Sequence, residues 1–224
     1  DIGQTVPALM PQAEEIAAIM KQQSEADLKR LMKLSDNLAQ LNTERYRVWS
    51  RETTEQRAKQ AILAFRGDVY AGMAATAFEQ QDFDFAQDHL RILSGLYGVL
   101  RPLDMIQPHR LEMGTKLENP RGKDLYAFWK RESAALVNEA AETAGGPIIN
   151  LASHEYFSSI EVAELEQPIV TPVFKDEKNG IYKIISIYAK KARGMMCDFV
   201  IRNQLEHPEQ LKAFSAAGYR FSER

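Results

Sequence analysis

From Arg91 to Gly114 the chain reads RILSGLYGVLRPLDMIQPHRLEMG. The run opens with apolar residues at helical spacing, breaks at Gly95 and Gly98, and breaks again at Pro102 and Pro108. Glycine loosens the backbone, while proline fixes φ and removes a donor, so a helix entering this stretch cannot run through it. Leu93, Leu96, Val99, Leu100, Leu103 and Ile106 are too many apolar side chains for a solvated loop. Arg91, Arg101, Arg110 and His109 punctuate them. The expectation is a buried or half-buried crossing segment that holds arginines in fixed places, either for a ligand or for the core.

Upstream, EQQDFDFAQDHL (residues 79–90) reads as the helix that delivers this stretch, with Asp82 as its cap. Further back, Leu9, Ile16, Ile19 and Met20 recur at helical spacing, after a Pro7 suited to a first turn. Ser24 caps a second helix, with Asp27 in capping-box position, and that helix ends near Lys33. Residues 31–49 then resemble a helix-hairpin-helix, two short helices joined by Leu38-Ala39-Gln40-Leu41-Asn42 with Asn42 capping the second. Such a connector aims backbone N–H groups and a helix N-terminus at a DNA phosphate. An ordinary helical turn fits the same spacing. A helix from Thr54 to Phe65, capped by Thr53 or Thr54, leads to Val69-Tyr70, a short strand or tight turn between Gly67 and Gly72.

Downstream, Lys123 to Ala144 is one long helix with Leu125, Phe128, Trp129, Leu136 and Val137 on its apolar stripe, stopped at Gly145-Gly146-Pro147. PIINLAS (residues 147–153) is a strand ending in the polar cluster Ser153-His154-Glu155, and Ile169 to Phe174 is another. Asn179-Gly180 is a hairpin dipeptide, with Tyr182 to Tyr188 as the returning strand. Ala189 to Leu205 is a helix, and Pro208 opens a last short one. These elements predict a mixed α+β (α/β) fold, one compact domain over residues 1–224 with a short central sheet surrounded by helices.

The 224 residues are 45% hydrophobic, enough for a sizeable core. A net charge of −3 supplies no global field toward nucleic acid or anionic membrane, so any such binding needs a local patch. The charge is uneven. Residues 90–131 carry eight Lys/Arg against four Asp/Glu, residues 132–174 none against seven, and residues 175–202 seven against three. Two basic islands on an acidic body make a positive cleft or two separate solvated faces. A single cysteine, Cys197, fits a reducing cytosol, and no run reaches the length of a membrane span. The start carries no charged-then-apolar secretory leader.

His89, His109, His154 and His207 lie far apart without HxxxH, CxxC or HxE pairing, so neither a metal nor another cofactor is expected. P-loop, dinucleotide and GxSxG signatures are missing as well. Two features carry chemistry. Ser153, His154 and Glu155 follow a strand, where α/β proteins place sites, although Ser153 as a helix cap explains the cluster too. Lys190, Lys191 and Arg193 fall in the first turn of the expected helix, where they oppose its dipole unless a phosphate offsets them. A solvated charged face is the competing explanation.

SDNLAQLNTERY, AILAFRGDVYAG, the 91–114 stretch, GKDLYAFW, INLASHEYF and DEKNGIYKIISIYAKKARGMM, in this order and spacing, resemble the YaaA family of bacterial peroxide-stress proteins. The resemblance spans about residues 35–196. It implies a cytoplasmic protein that protects against hydrogen peroxide and limits free iron. It also implies binding of duplex and branched or junction DNA through a helix-hairpin-helix, mapped to Leu31–Trp49, and a positively charged cleft. On this reading Lys33, Gln40, Asn42, Arg45, Arg101, Arg110, Lys183, Lys190, Lys191 and Arg193 hold DNA without reading its sequence. Gln40 stands where the family's connector carries glycine. Family members open with a strand and a Ser-Pro-Ala-Lys segment, which is expected to precede Asp1 in the natural protein. The alternative is an enzyme acting on a nucleobase or nucleotide, with Ser153, Glu155 and Arg101 as its catalytic groups in a pocket shared with Tyr70, Arg110 and Lys191. Direct iron sequestration is the third reading and has the fewest ligands.

Overall fold

The computed structural model describes residues 2–52 and 54–223. Three helices open it. Met10–Lys21 (α1) buries Ala13, Ile16, Ala17 and Met20 on one face. Glu25–Met32 (α2) starts from a reciprocal box in which Ser24 Oγ accepts the Asp27 N–H at 3.2 Å and Asp27 Oδ2 accepts the Ser24 N–H at 3.1 Å. It stops at Lys33, whose φ of 54° is left-handed. Ser35 then caps Asp36–Val48 (α3).

The turn between α2 and α3 therefore falls at residues 33–35, upstream of the expected connector. Leu38 to Asn42 lie inside α3, because Ser35 already supplies the cap and Ala39, Asn42 and Tyr46 form the helix's buried stripe. Asn42 caps nothing. It is fully buried, and its Nδ2 donates back to Leu38 O at 2.8 Å.

The helix expected from Thr54 to Phe65 is reduced to Ala61–Ala64 (α4), preceded by the short strand Lys59–Gln60 (β1); Thr53, one of its two proposed caps, lies outside the described residues. Val69 and Tyr70 belong to a short helix, Asp68–Met73 (α5), rather than to a strand. Gln80–His89 (α6) begins at Glu79, and Asp82 accepts the Glu79 N–H from the third position at 2.9 Å instead of capping.

The 91–114 stretch is not helical at its start. Ile92–Ser94 (β2) and Gly98–Leu100 (β3) form an antiparallel hairpin with Ile92 opposite Leu100. Gly98 takes a φ of 71°, and a methyl there would sit 2.7 Å from the Trp129 ring. A methyl at Gly95 would overlap Leu111 O. Glycine is required at both points for backbone and ring to pass this close. Met105–Ile106 (β4) then pairs with β1.

Leu125–Ala144 (α7) is capped by Asp124, whose carboxylate accepts the Ala127 N–H at 2.9 Å, and ends at Gly145. Ile148–Ile149 (β5) runs parallel to Ile169–Val170 (β6), with His154–Phe157 (α8) between them in sequence. Asp176–Lys178 (β7) and Ile181–Lys183 (β8) make the hairpin expected at Asn179-Gly180, both of which have positive φ. The expected return strand to Tyr188 is cut short, because Ser186–Arg202 (α9) begins inside it. The fold is mixed α/β, as expected, with its strands in four two-stranded ladders among the described residues in place of one central sheet.

Leu96, Tyr97, Leu100 and Met113 of the stretch pack with Ile16 and Met20 of α1 and with Leu125, Phe128 and Trp129 of α7 in the principal core. Trp129 Nε1 donates to Gly95 O at 2.9 Å, and Trp49 Nε1 donates to the Tyr97 hydroxyl at 3.0 Å, so the buried indole donors are satisfied. Phe174, Ala189, Ala192, Met196 and Phe214 form a second cluster under α9.

Helices α5 and α9 cross at two glycines. A methyl at Gly72 would overlap Lys191 O, and one at Gly194 would overlap Val69 O and lie 2.8 Å from Met73 N. Backbone cannot retreat as a flexible side chain can. Gly194→Ala is therefore expected to destabilise the protein by about 3 kcal/mol, read as a lower urea midpoint. An unchanged midpoint would show that the helices separate at little cost.

Candidate nucleic-acid interface

Helix α2, with Gln23 before it and Lys33 at the α2–α3 turn, forms one wall of a cleft of about 480 Å³ lined by Gln23, Asp27, Arg30, Lys33, Thr115 and Lys116, among others. Arg30 and Asp27 neutralise each other at 2.5 Å. Lys33 and Lys116 are exposed and have no acidic partner among the described residues. Two unpaired ammonium groups on one cleft leave it net positive locally, despite the acidic body of the chain.

Beyond the cleft, Gly114 donates its N–H to Glu155 Oε1 at 2.9 Å. The next residue, Tyr156, bonds the Met113 backbone, and burial pushes its hydroxyl pKa up to about 12 with help from the Glu155 charge. Tyr70 is nearby on α5, its own pKa raised chiefly by burial and further by Tyr156 and Cys197. It stacks on Phe65 at 5.3 Å, and the far edge of Phe65 meets the His109 ring at 6.0 Å. His109 Nδ1 lies 2.8 Å from Gln107 O. Burial lowers its pKa to about 4, with Arg45 adding to the effect, so the ring is neutral at pH 7 and its Nδ1 carries the proton given to that carbonyl.

The predicted site residues divide into three groups. Lys33 lines the cleft, while Gln40 is exposed on α3, Arg45 is half-buried beside His109, and Asn42 is internal. Arg101 and Arg110 are engaged elsewhere. Arg110 bonds Glu112 at 2.8 Å. Arg101 donates from its backbone and guanidinium to Asp104, at 2.7 and 3.1 Å, and to Val6 O at 3.1 Å. Asp104 is 1% exposed and also accepts the Thr5 hydroxyl at 2.7 Å, so Arg101 serves as counter-ion to a buried carboxylate.

Lys183, Lys190, Lys191 and Arg193 form the third group, on the β7–β8 hairpin and α9, without acidic partners among the described residues. Because α9 starts at Ser186, the last three fall in its second turn. Their N–H groups are bonded along the helix there, so the expected dipole conflict does not arise and free N–H groups are not available beside them. The catalytic alternative is not assembled. Ser153 caps α8, Glu155 holds Gly114, and Arg101 holds Asp104, with no hydrogen bond or ion pair joining the three.

Sequence reasoning passed over Lys116 and the buried state of His109. Lys116 stood in a basic island with nothing to distinguish it, since only the fold brings it to the cleft that Lys33 lines. The family model for peroxide stress protein YaaA covers residues 1–224, and the chain belongs to that family.

Peroxide attacks thiolates, which brings Cys197 into question. It is buried on α9, and burial raises its pKa to about 12, so it stays a thiol at neutral pH. We expect a neutral-pH thiol reagent to label Cys197 only as fast as the protein unfolds; rapid native labelling would contradict its burial. His109 gives a second expectation. Its folded pKa lies below the ordinary value of 6.5, so the unfolded chain binds more protons and stability falls as pH drops from about 6.5 towards 4. That loss should reach up to about 3 kcal/mol and be removed in His109→Gln, checked by urea unfolding at stepped pH.

Proposed function

We propose that this member of the YaaA peroxide stress family acts in peroxide stress by binding DNA, duplex and branched, without reading its sequence. The observation that carries the reading is the cleft at the α2–α3 turn, where Lys33 and Lys116 stand unpaired beside a left-handed turn. Two short helices with a cation at their junction suit contact with a phosphate backbone, which needs charge and a close-fitting turn rather than base-specific side chains. Lys190, Lys191 and Arg193 add a second unpaired cationic surface that a branched substrate can reach. Protection of DNA, together with a part in limiting free iron as implied by the family resemblance, is the proposed cellular role.

An enzyme acting on a nucleobase receives less support, because Ser153, Glu155 and Arg101 are each committed to the fold.

The test is anisotropy of a labelled four-way junction and a blunt duplex between about 50 and 200 mM salt. Affinity is expected to fall steeply with salt for both. Lys33→Glu combined with Lys116→Glu should weaken binding about tenfold or more on every sequence alike and flatten the salt slope by about 2. Binding that ignores salt, or a double variant that binds like wild type, would overturn the reading.

A further inference from the structure

The hairpin formed by β7 and β8 and the start of α9 have an unusual surface. Ile181 and Tyr182 are each 66% exposed, and Ile184, Ile187 and Tyr188 are between 55% and 58% exposed. Lys183 lies among them in sequence, and Lys175, Lys178, Lys190, Lys191 and Arg193 flank them, none of the six in an ion pair among the described residues. The only two acids between residues 175 and 193 are already bound: Asp176 accepts the Tyr219 hydroxyl at 2.8 Å, and Glu177 accepts the Gly180 N–H. Exposed rings and aliphatic groups on a soluble face mark an interaction surface, and six unpaired cations define its sign.

We propose that this arm binds unpaired nucleotides, with Tyr182 and Tyr188 as the rings on which bases stack and the surrounding lysines as phosphate contacts. The inference rests on the nucleic-acid reading above and extends it to single-stranded segments, such as those at a branch point. Charge opposes a two-fold contact between two such arms, which would bring six cations against six. A lipid bilayer fits poorly as well. A hairpin that inserts into lipid places apolar residues throughout its tip, whereas this turn is Lys178-Asn179-Gly180 and Ile181 is its one apolar neighbour, paired with Lys178. A polyanion that carries flat apolar faces beside its phosphates matches exposed rings flanked by cations.

The test compares wild type, a Tyr182→Ala/Tyr188→Ala variant and a Tyr182→Phe/Tyr188→Phe variant. Each is titrated into a labelled oligothymidylate of about 16 nucleotides and into a blunt duplex. The alanine pair should lose about tenfold or more on the single strand and stay within about twofold of wild type on the duplex; the phenylalanine pair should keep both. Both tyrosines are exposed, so circular dichroism should show an unchanged fold.

Single-strand binding unchanged in the alanine pair overturns the inference while leaving the cleft reading intact, as does an equal loss on both substrates. Wild type that binds neither junction nor duplex overturns the cleft reading, and this one with it. Two further readouts identify the competing occupants. Alanine-sensitive binding to vesicles of about 30% phosphatidylglycerol, or an alanine-sensitive dimer in sedimentation, with single-strand binding unchanged, would assign the arm to lipid or to a second copy and overturn the proposal.

Discussion

The fold depends on two close approaches to the backbone, of another strand of chain at Gly95 and of an indole ring at Gly98. Leu111 O occupies the space a side chain at Gly95 would need, and the Trp129 ring occupies that of Gly98. The Trp129 donor then closes on Gly95 O. This crossing places the β2–β3 hairpin under α7 and returns the chain as residues 111–116 beside the α2–α3 turn. With a larger residue at either glycine, the hairpin and the returning chain would have to move apart. The cleft containing Lys33 and Lys116 is formed from both sides of that return.

Arginines in the same stretch turned out to divide between surface and core. Arg101 neutralises Asp104, which is tied in turn to Thr5 near the start of the described chain. Arg91 is partly buried, and its pKa is lowered by that burial and by the neighbouring Arg101. Positive charge in this sequence is therefore not by itself a sign of a ligand. Among the cations left without an acid, Lys33 and Lys116 share the cleft, and Lys183, Lys190, Lys191 and Arg193 share the hairpin and α9.

Local signals were legible where one residue sets the backbone. The Ser24–Asp27 box, the Gly145 stop and the Asn179-Gly180 turn all lie where the sequence places them. Errors arose where tertiary contact overrode spacing. Residues 91–94 have helical periodicity but pair with β3, because glycines behind them admit another chain. The connector was misplaced for a different reason: Ser35 and Asn42 are both cap-type residues seven apart, and only burial of Asn42 decides which one caps. For the site, Lys33 was legible as a cation at a helix end. Lys116 was not, since only the folded chain brings it to Lys33.

Cys197 is buried and protonated, so it is poorly placed to consume peroxide, and the proposed role is the binding of DNA. Hydrogen exchange of the intact protein with and without a four-way junction tests that account most directly. It predicts slowed exchange at residues 30–38, at 114–117 and along 176–191 when the junction is bound. Binding with protection confined to other segments, or no protection at saturating junction, would contradict it.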